Sequence, residues 1–332
     1  MTEPVPMIEV WRGDFREVLH RGHAVICDTS GQIVEAWGDP EKVILPRSAV
    51  KMIQALPLVE SGAADAFGLE DRRLSLSCAS HIASDIHVST VRAWLDQLGL
   101  ADSHLACGPQ EPRDKSVRDD LIRSGQPVCR CHNNCSGKHS GMLTFAKHIG
   151  ADLDYVNPDN PVQLAIREAY EDVTGEASPG FGIDGCSAPN FAASLRGLAR
   201  AMAFFAGARE DGTTRERAAV RLRRAMAAHP EMVSGEGEAC TELMRAMGGK
   251  VTIKGGAEGS YTAILPEQGL GVVLKISDGA QRAQMATMAT LLVHLGVLDG
   301  EHPTAKKWMS PVQYNFAGLE TGYIRPAPGF PA

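Results

Sequence analysis

The chain has 332 residues, of which 44% are apolar and 22% charged, and a formal net charge of −7. This length supports a large core, in one domain or in two that share an interface. The acidic balance leaves no basic footprint for nucleic acid, and no apolar run reaches the roughly 18 residues of a membrane span.

His23–Asp28 and Gln32–Trp37 read as two strands joined by the turn residues Thr29-Ser30-Gly31. A helix is expected from Ser48, with apolar Met52, Ile53, Leu56 and Leu58, and with Pro57 kinking or ending it. Leu74–Ala79 reads as a short strand or buried segment running into Ser80-His81. Ile86–Leu98 reads as a helix ending at Gly99. Helical spacing recurs over Pro161–Val173, Ala188–Ala206, Thr213–Ala228 and Gly237–Met247. Lys250–Lys254, Ser260–Leu265 and Gly271–Ile276 are strand candidates, followed by a helix over Gln281–Leu295. The Pro- and Gly-rich tail after Pro311 is expected to be irregular. Strands at both ends with helices between predict one α+β domain over residues 1–332. Its mostly antiparallel sheet comes from both termini, and its helical insertion runs over roughly 86–247.

Met1–Val10 carries Glu3 and Glu9 and lacks a basic stretch leading into an apolar one, so no signal peptide is expected and a cytoplasmic location is the default. Cys27, Cys78, Cys107, Cys129, Cys131, Cys135, Cys186 and Cys240 should then stay reduced.

Two clusters carry chemistry. Ser48 and Lys51 are three apart at a helix start, so their side chains can meet across one turn. A lysine can take the proton that a serine must lose to become nucleophilic, and the orphan N–H groups of a helix start suit an oxyanion. Ser-x-x-Lys is the nucleophile motif of class A β-lactamases and penicillin-binding proteins, although a chain this long should hold about one by chance. Those enzymes carry a later Lys-Thr-Gly, and Lys254-Gly255-Gly256 occupies the corresponding place. An ammonium there, close to Lys51, would favour the neutral base. The second cluster runs from Cys129 through Cys131, His132, Cys135 and Lys138 to His139, a density of thiols and imidazoles that suits zinc. Cys135 and Lys138 can share a face, and Cys186 in the tight Gly182–Pro189 turn is the best further ligand. Ordinary reduced thiols are the bland alternative.

Arg47-Ser48-Ala49-Val50-Lys51, Cys78-Ala79-Ser80-His81, Cys135 to Met142, Asp184-Gly185-Cys186 and Lys254-Gly255-Gly256 together resemble the signatures of the Rhizobium-type, or class 3, L-asparaginases, also called L-asparaginase II. The resemblance runs from about Val10 to the last helix. It implies the serine β-lactamase fold, with Ser48 as nucleophile, Lys51 as its base, and Ser80 with Lys254 as a second Ser–Lys pair. It implies Zn2+ held by Cys135, Lys138 and Cys186 with a water in fourth place. Lys138 enters only through the resemblance, since a lysine must lose its proton to ligate and His139 would otherwise be chosen. Arg47, His139 and Asp184 become substrate-binding candidates, with L-asparagine as substrate and a homodimer as the expected assembly. A β-lactamase shares the Ser-x-x-Lys but gives no reason for the cysteines. A non-enzymatic zinc scaffold explains the cysteines but not Ser48 and Lys51.

Overall fold

The computed structural model describes residues 2–331 and divides them into two compact units. One gathers the chain up to Ala49, Ala193–Gly207 and the chain from Glu242 onward. The other holds Val50–Ala192 and Ala208–Thr241. The helical unit therefore begins well before residue 86 and ends short of 247, and Ala193–Gly207 belongs with the sheet.

The sheet unit is built on eight antiparallel strands. Their order is Val312–Tyr314, Glu320–Pro326, Val5–Arg12, Phe15–Asp28, Leu270–Ile276, Ser260–Leu265 and Thr252–Gly255, with Ile33–Trp37 also pairing Phe15–Asp28. Ala24–Cys27 lie opposite Gly271–Leu274 in register. Residues Ala24 to Cys27 are all buried, because the helices Leu195–Gly207 and Gln281–His294 both pack on this sheet. Their sequence is accordingly a continuous apolar run rather than an alternating one.

The helical unit packs Asp71–Ser77, Asp85–Leu98, Ser136–Ile149, Pro161–Thr174 and Thr214–Ala228 around a common core. Their starts follow the sequence. Asn160 Oδ1 accepts from Val162 N–H at 2.9 Å just before Pro161, and Thr213 with Glu216 forms a capping box. Among the described residues no helix is long and apolar enough to cross a membrane.

Three expectations are corrected. Leu74–Ala79 is buried, as one of its two readings had it, but Leu74–Ser77 lies in a helix, not a strand, with the serines as buried as the leucines. Ser75 donates to the His229 carbonyl and Ser77 to that of Leu74, which lets small polar residues sit inside. The helix expected from Ala188 starts only at Leu195, since Pro189–Phe191 pairs with Phe181–Ile183 and Ala193–Ser194 pairs with Val43–Ile44. The tail is not irregular. Glu320–Pro326 pairs with Val5–Arg12, where Tyr323 stacks on Trp11 and Arg325 bonds to buried Glu9.

Candidate active site

In the sheet unit, Arg47 opens a 3₁₀ turn, Arg47–Val50, at φ 54°, a left-handed conformation that a side-chain-bearing residue rarely adopts. Half-buried Ser48 follows it. Pro46 O accepts from Ala49 N–H at 3.2 Å, and the Thr262 hydroxyl donates to the Ala49 carbonyl at 2.7 Å. Thr262 is the register partner of Lys254, whose ammonium is 1% exposed and donates to the Gly255 carbonyl at 2.6 Å. At Gly256 a Cβ would stand 2.7 Å from Pro46 O and 2.9 Å from Ala49 N. Only glycine lets this strand end press against the Ser48 turn, so the sheet unit brings the Lys254 segment beside Ser48.

In the helical unit, Lys51 begins the helix Lys51–Gln54 and is 1% exposed. Its ammonium donates to the Ala79 carbonyl, lies 3.0 Å from the Ser80 hydroxyl, and is 3.0 Å from Cys135 Sγ. Ser80, which the resemblance pairs with Lys254, thus bonds to Lys51. Its backbone is pinned by Val233 O and by Arg113, which donates to the Ser80 carbonyl at 3.0 Å. Next to it, His81 Nδ1 accepts from Ala83 N–H and Nε2 donates to Ser136 Oγ, which donates to the Cys131 carbonyl. Burial, reinforced by His87 and Lys51, holds the His81 pKa well below the ordinary value, so the ring is neutral.

The helix Ser136–Ile149 carries Lys138 and His139 and has Cys135 at its cap. A Cβ at Gly137 would stand 2.4 Å from the Leu76 carbonyl, so glycine seats this helix closely on Asp71–Ser77. Cys186 lies in the turn between Phe181–Ile183 and Pro189–Phe191. There Asp184 N–H bonds to Ala188 O, Ser187 N–H bonds to Asp184 O, and Ser187 is held at φ 70°.

Cys135, Lys138 and Cys186 converge. Lys138 Nζ is 3.2 Å from Cys186 Sγ, and the two thiols are close enough to shift each other's titration. Interaction with Cys135, and then the Lys138 charge, lower the Cys186 pKa against the effect of burial, while Cys186 and burial raise that of Cys135 against the charges of Lys51 and Lys138. Burial disfavours the Lys138 ammonium, but the sulfur charges of Cys186 and Cys135 outweigh it and raise its pKa. Asp184, half-buried, acts on Lys138 in the same direction. His139 Nδ1 is 2.8 Å from the Tyr155 hydroxyl, while Nε2 is buried with no hydrogen-bond partner among the described residues. Burial lowers the His139 pKa. Nothing in the sequence marked Tyr155, and only the position of Ser80-His81 hinted at the His81–Ser136 link.

Two thiols, an amine and an orphaned imidazole nitrogen in one buried place are a suitable donor set for a tetrahedral zinc ion. The residues present fit the metal that the resemblance implies. A family model described as L-asparaginase II matches residues 8–326. The chain belongs to the L-asparaginase II family. That makes it an asparaginase-type amidohydrolase, with the family match spanning both units. No match was found among curated proteins. Solved structures similar to this asparaginase II chain include Mglu in its native form, at 13% identity and TM-score 0.48, over 85% of this chain and 66% of that one. A class C β-lactamase from Rhodobacter sphaeroides matches at 15% identity and TM-score 0.41, over 82% and 94%. A β-lactamase from Sulfitobacter sp. EE-36 matches at 16% and 0.42, over 82% and 93%.

Proposed function

We propose that this chain hydrolyses L-asparagine to L-aspartate and ammonia, with Ser48 as nucleophile and Lys51 as its base. The observation that carries this reading is the buried meeting of Lys51, Ser80, Cys135, Lys138 and Cys186, in a chain whose family is that of L-asparaginase II.

Ser48 Oγ attacks the side-chain amide carbonyl, forming a C–O bond while its proton passes to the Lys51 amine, three residues on. N–H groups of the Arg47–Val50 turn are the proposed oxyanion donors. On collapse the C–N bond breaks, the proton is delivered to the leaving nitrogen, and ammonia departs. Water then hydrolyses the aspartyl ester and restores Ser48. Ser80, bonded to Lys51, orients that amine, and Lys254 supplies positive charge in the sheet unit beside the Ser48 turn. Arg47 and Asp184 are the proposed holders of the substrate α-carboxylate and α-amino groups, by charge. Zinc held by Cys135, Lys138 and Cys186 would supply Lewis acidity that orients the polar substrate. Lys138 must lose its proton to join it.

Ammonia release from asparagine and glutamine, beside hydrolysis of a nitrocefin-type β-lactam as control, each with and without chelation, tests the reading. Rapid ammonia release from asparagine with no β-lactam turnover is expected. No release from asparagine by zinc-loaded protein would end it.

A further inference from the structure

A second group of thiols lies in the helical unit, on the segment that precedes Cys135. Cys129 caps the 3₁₀ turn Arg130–His132, and Asp102 opens the turn Asp102–His104. One ligand atom each from Asp102, Cys129 and Cys131 lie within 4.8 Å of one another. The edges of a tetrahedral site with metal bonds of about 2.0–2.3 Å run to about 3.5 Å, so small side-chain rotations close this triangle on one ion. We propose that Cys129, Cys131 and Asp102 form a second metal site, for a zinc-type divalent ion, separate from the Cys135 cluster.

The frame is built before any ion arrives. The Asp102 carboxylate accepts Arg130 N–H at 3.1 Å on one oxygen and Cys131 N–H at 2.8 Å on the other, which locks it to the turn bearing the thiols. Beyond that backbone bond each oxygen has a second lone pair, on the side of the two thiols. His132 Nδ1 accepts Cys129 N–H at 3.0 Å and sits 3.2 Å from its Sγ, fixing the thiol from the other side.

Charge fits as well. Two thiolates and a carboxylate carry three negative charges, and a divalent ion leaves one. The Arg92 guanidinium, 3.9 Å from Cys129 Sγ, stands beside that remainder. Cys131 is buried and Cys129 half-exposed, so the site is closed on one side and leaves its fourth position toward solvent. His132 and Arg92 also line a cleft of about 560 Å³, wide enough to admit a hydrated ion.

The site's place gives its role. Ser136, the first residue of the helix that carries Lys138, donates to the Cys131 carbonyl. An ion on Cys131 therefore braces the approach to that helix, and its loss should lower thermal stability more than turnover.

The experiment is zinc content per chain by elemental analysis of full-length protein. The expected result is two equivalents in wild type, one in Cys129→Ser and one in Cys186→Ala. Unchanged zinc in Cys129→Ser overturns this site, whatever Cys186→Ala does. Loss in Cys129→Ser with none in Cys186→Ala overturns the buried site and leaves this one standing. If Cys129→Ser fails to fold, wild type answers through iodoacetamide labelling read by peptide mass spectrometry. Zinc should slow Cys129 labelling at least about 10-fold and chelation should restore it. A labelling rate indifferent to zinc overturns the proposal.

Discussion

In the sheet unit the Ser48 turn is shaped by main chain: a left-handed Arg47, a carbonyl bonded to Thr262, and a glycine with no room for a Cβ. In the helical unit the cluster around Cys135 is shaped by side chains, with Lys51 and Lys138 about 3 Å from the thiols and His139 bonded to Tyr155. The two parts therefore fail differently. Where backbone sets the geometry, adding a single carbon is an injury; where side chains set it, removing a functional group is.

The largest effect should come from the one side-chain group that the main-chain half presents. Ser48→Ala is expected to reduce ammonia release from asparagine by at least about 1000-fold with the far-UV circular dichroism unchanged. Retention of a tenth of the activity would detach the turn from the chemistry. In the side-chain half, Cys186→Ala should weaken zinc at least about 100-fold, read by competition with a chromogenic chelator. Equal zinc affinity would mean that Cys186 only packs.

Acid should loosen the helical unit through its histidines. His87 is buried against His81, and burial lowers its pKa to about 4. Between about pH 6.5 and 4 the unfolded chain holds a proton there that the folded chain lacks, so stability falls as pH falls, by up to about 3 kcal/mol at pH 4. Urea unfolding at stepped pH checks this, and His87→Gln should flatten the slope. The smallest effects separate the halves most cleanly. Gly256→Ala should cost about 1–3 kcal/mol, because its Cβ meets backbone. Gly185→Ala, beside Cys186 with nothing within 4 Å, should stay within about 0.5 kcal/mol in the same denaturation assay.

Much of the fold was readable wherever a single face decided the pattern. Ser260–Leu265 is a strand over the residues expected, and the helices from Pro161 and near Thr213 begin at their caps. It was unreadable where burial was two-sided or pairing was remote. Buried serines disguised the Asp71–Ser77 helix, and Glu320–Pro326 depends on a partner strand at the far end of the chain. At the site, the gathering of Cys135, Lys138 and Cys186 was suggested by spacing and by the family resemblance. Asp102 and Tyr155 were not, since each reaches its partner by tertiary packing from a stretch with no motif of its own.

The strand Phe15–Asp28 has a consequence for how the protein is made. Its register partner Leu270–Ile276 leaves the ribosome about 250 residues later. At roughly 5–20 residues per second, that is a wait of about 10 to 50 s. During it the nascent chain carries an unpaired apolar edge around Val25 and Ile26, while every residue of the helical unit is already synthesised before that partner emerges. Biogenesis should therefore proceed inside out along the sequence, with the middle maturing first. A nascent-chain chaperone that shields strand edges should bind most strongly to chains arrested just short of residue 270.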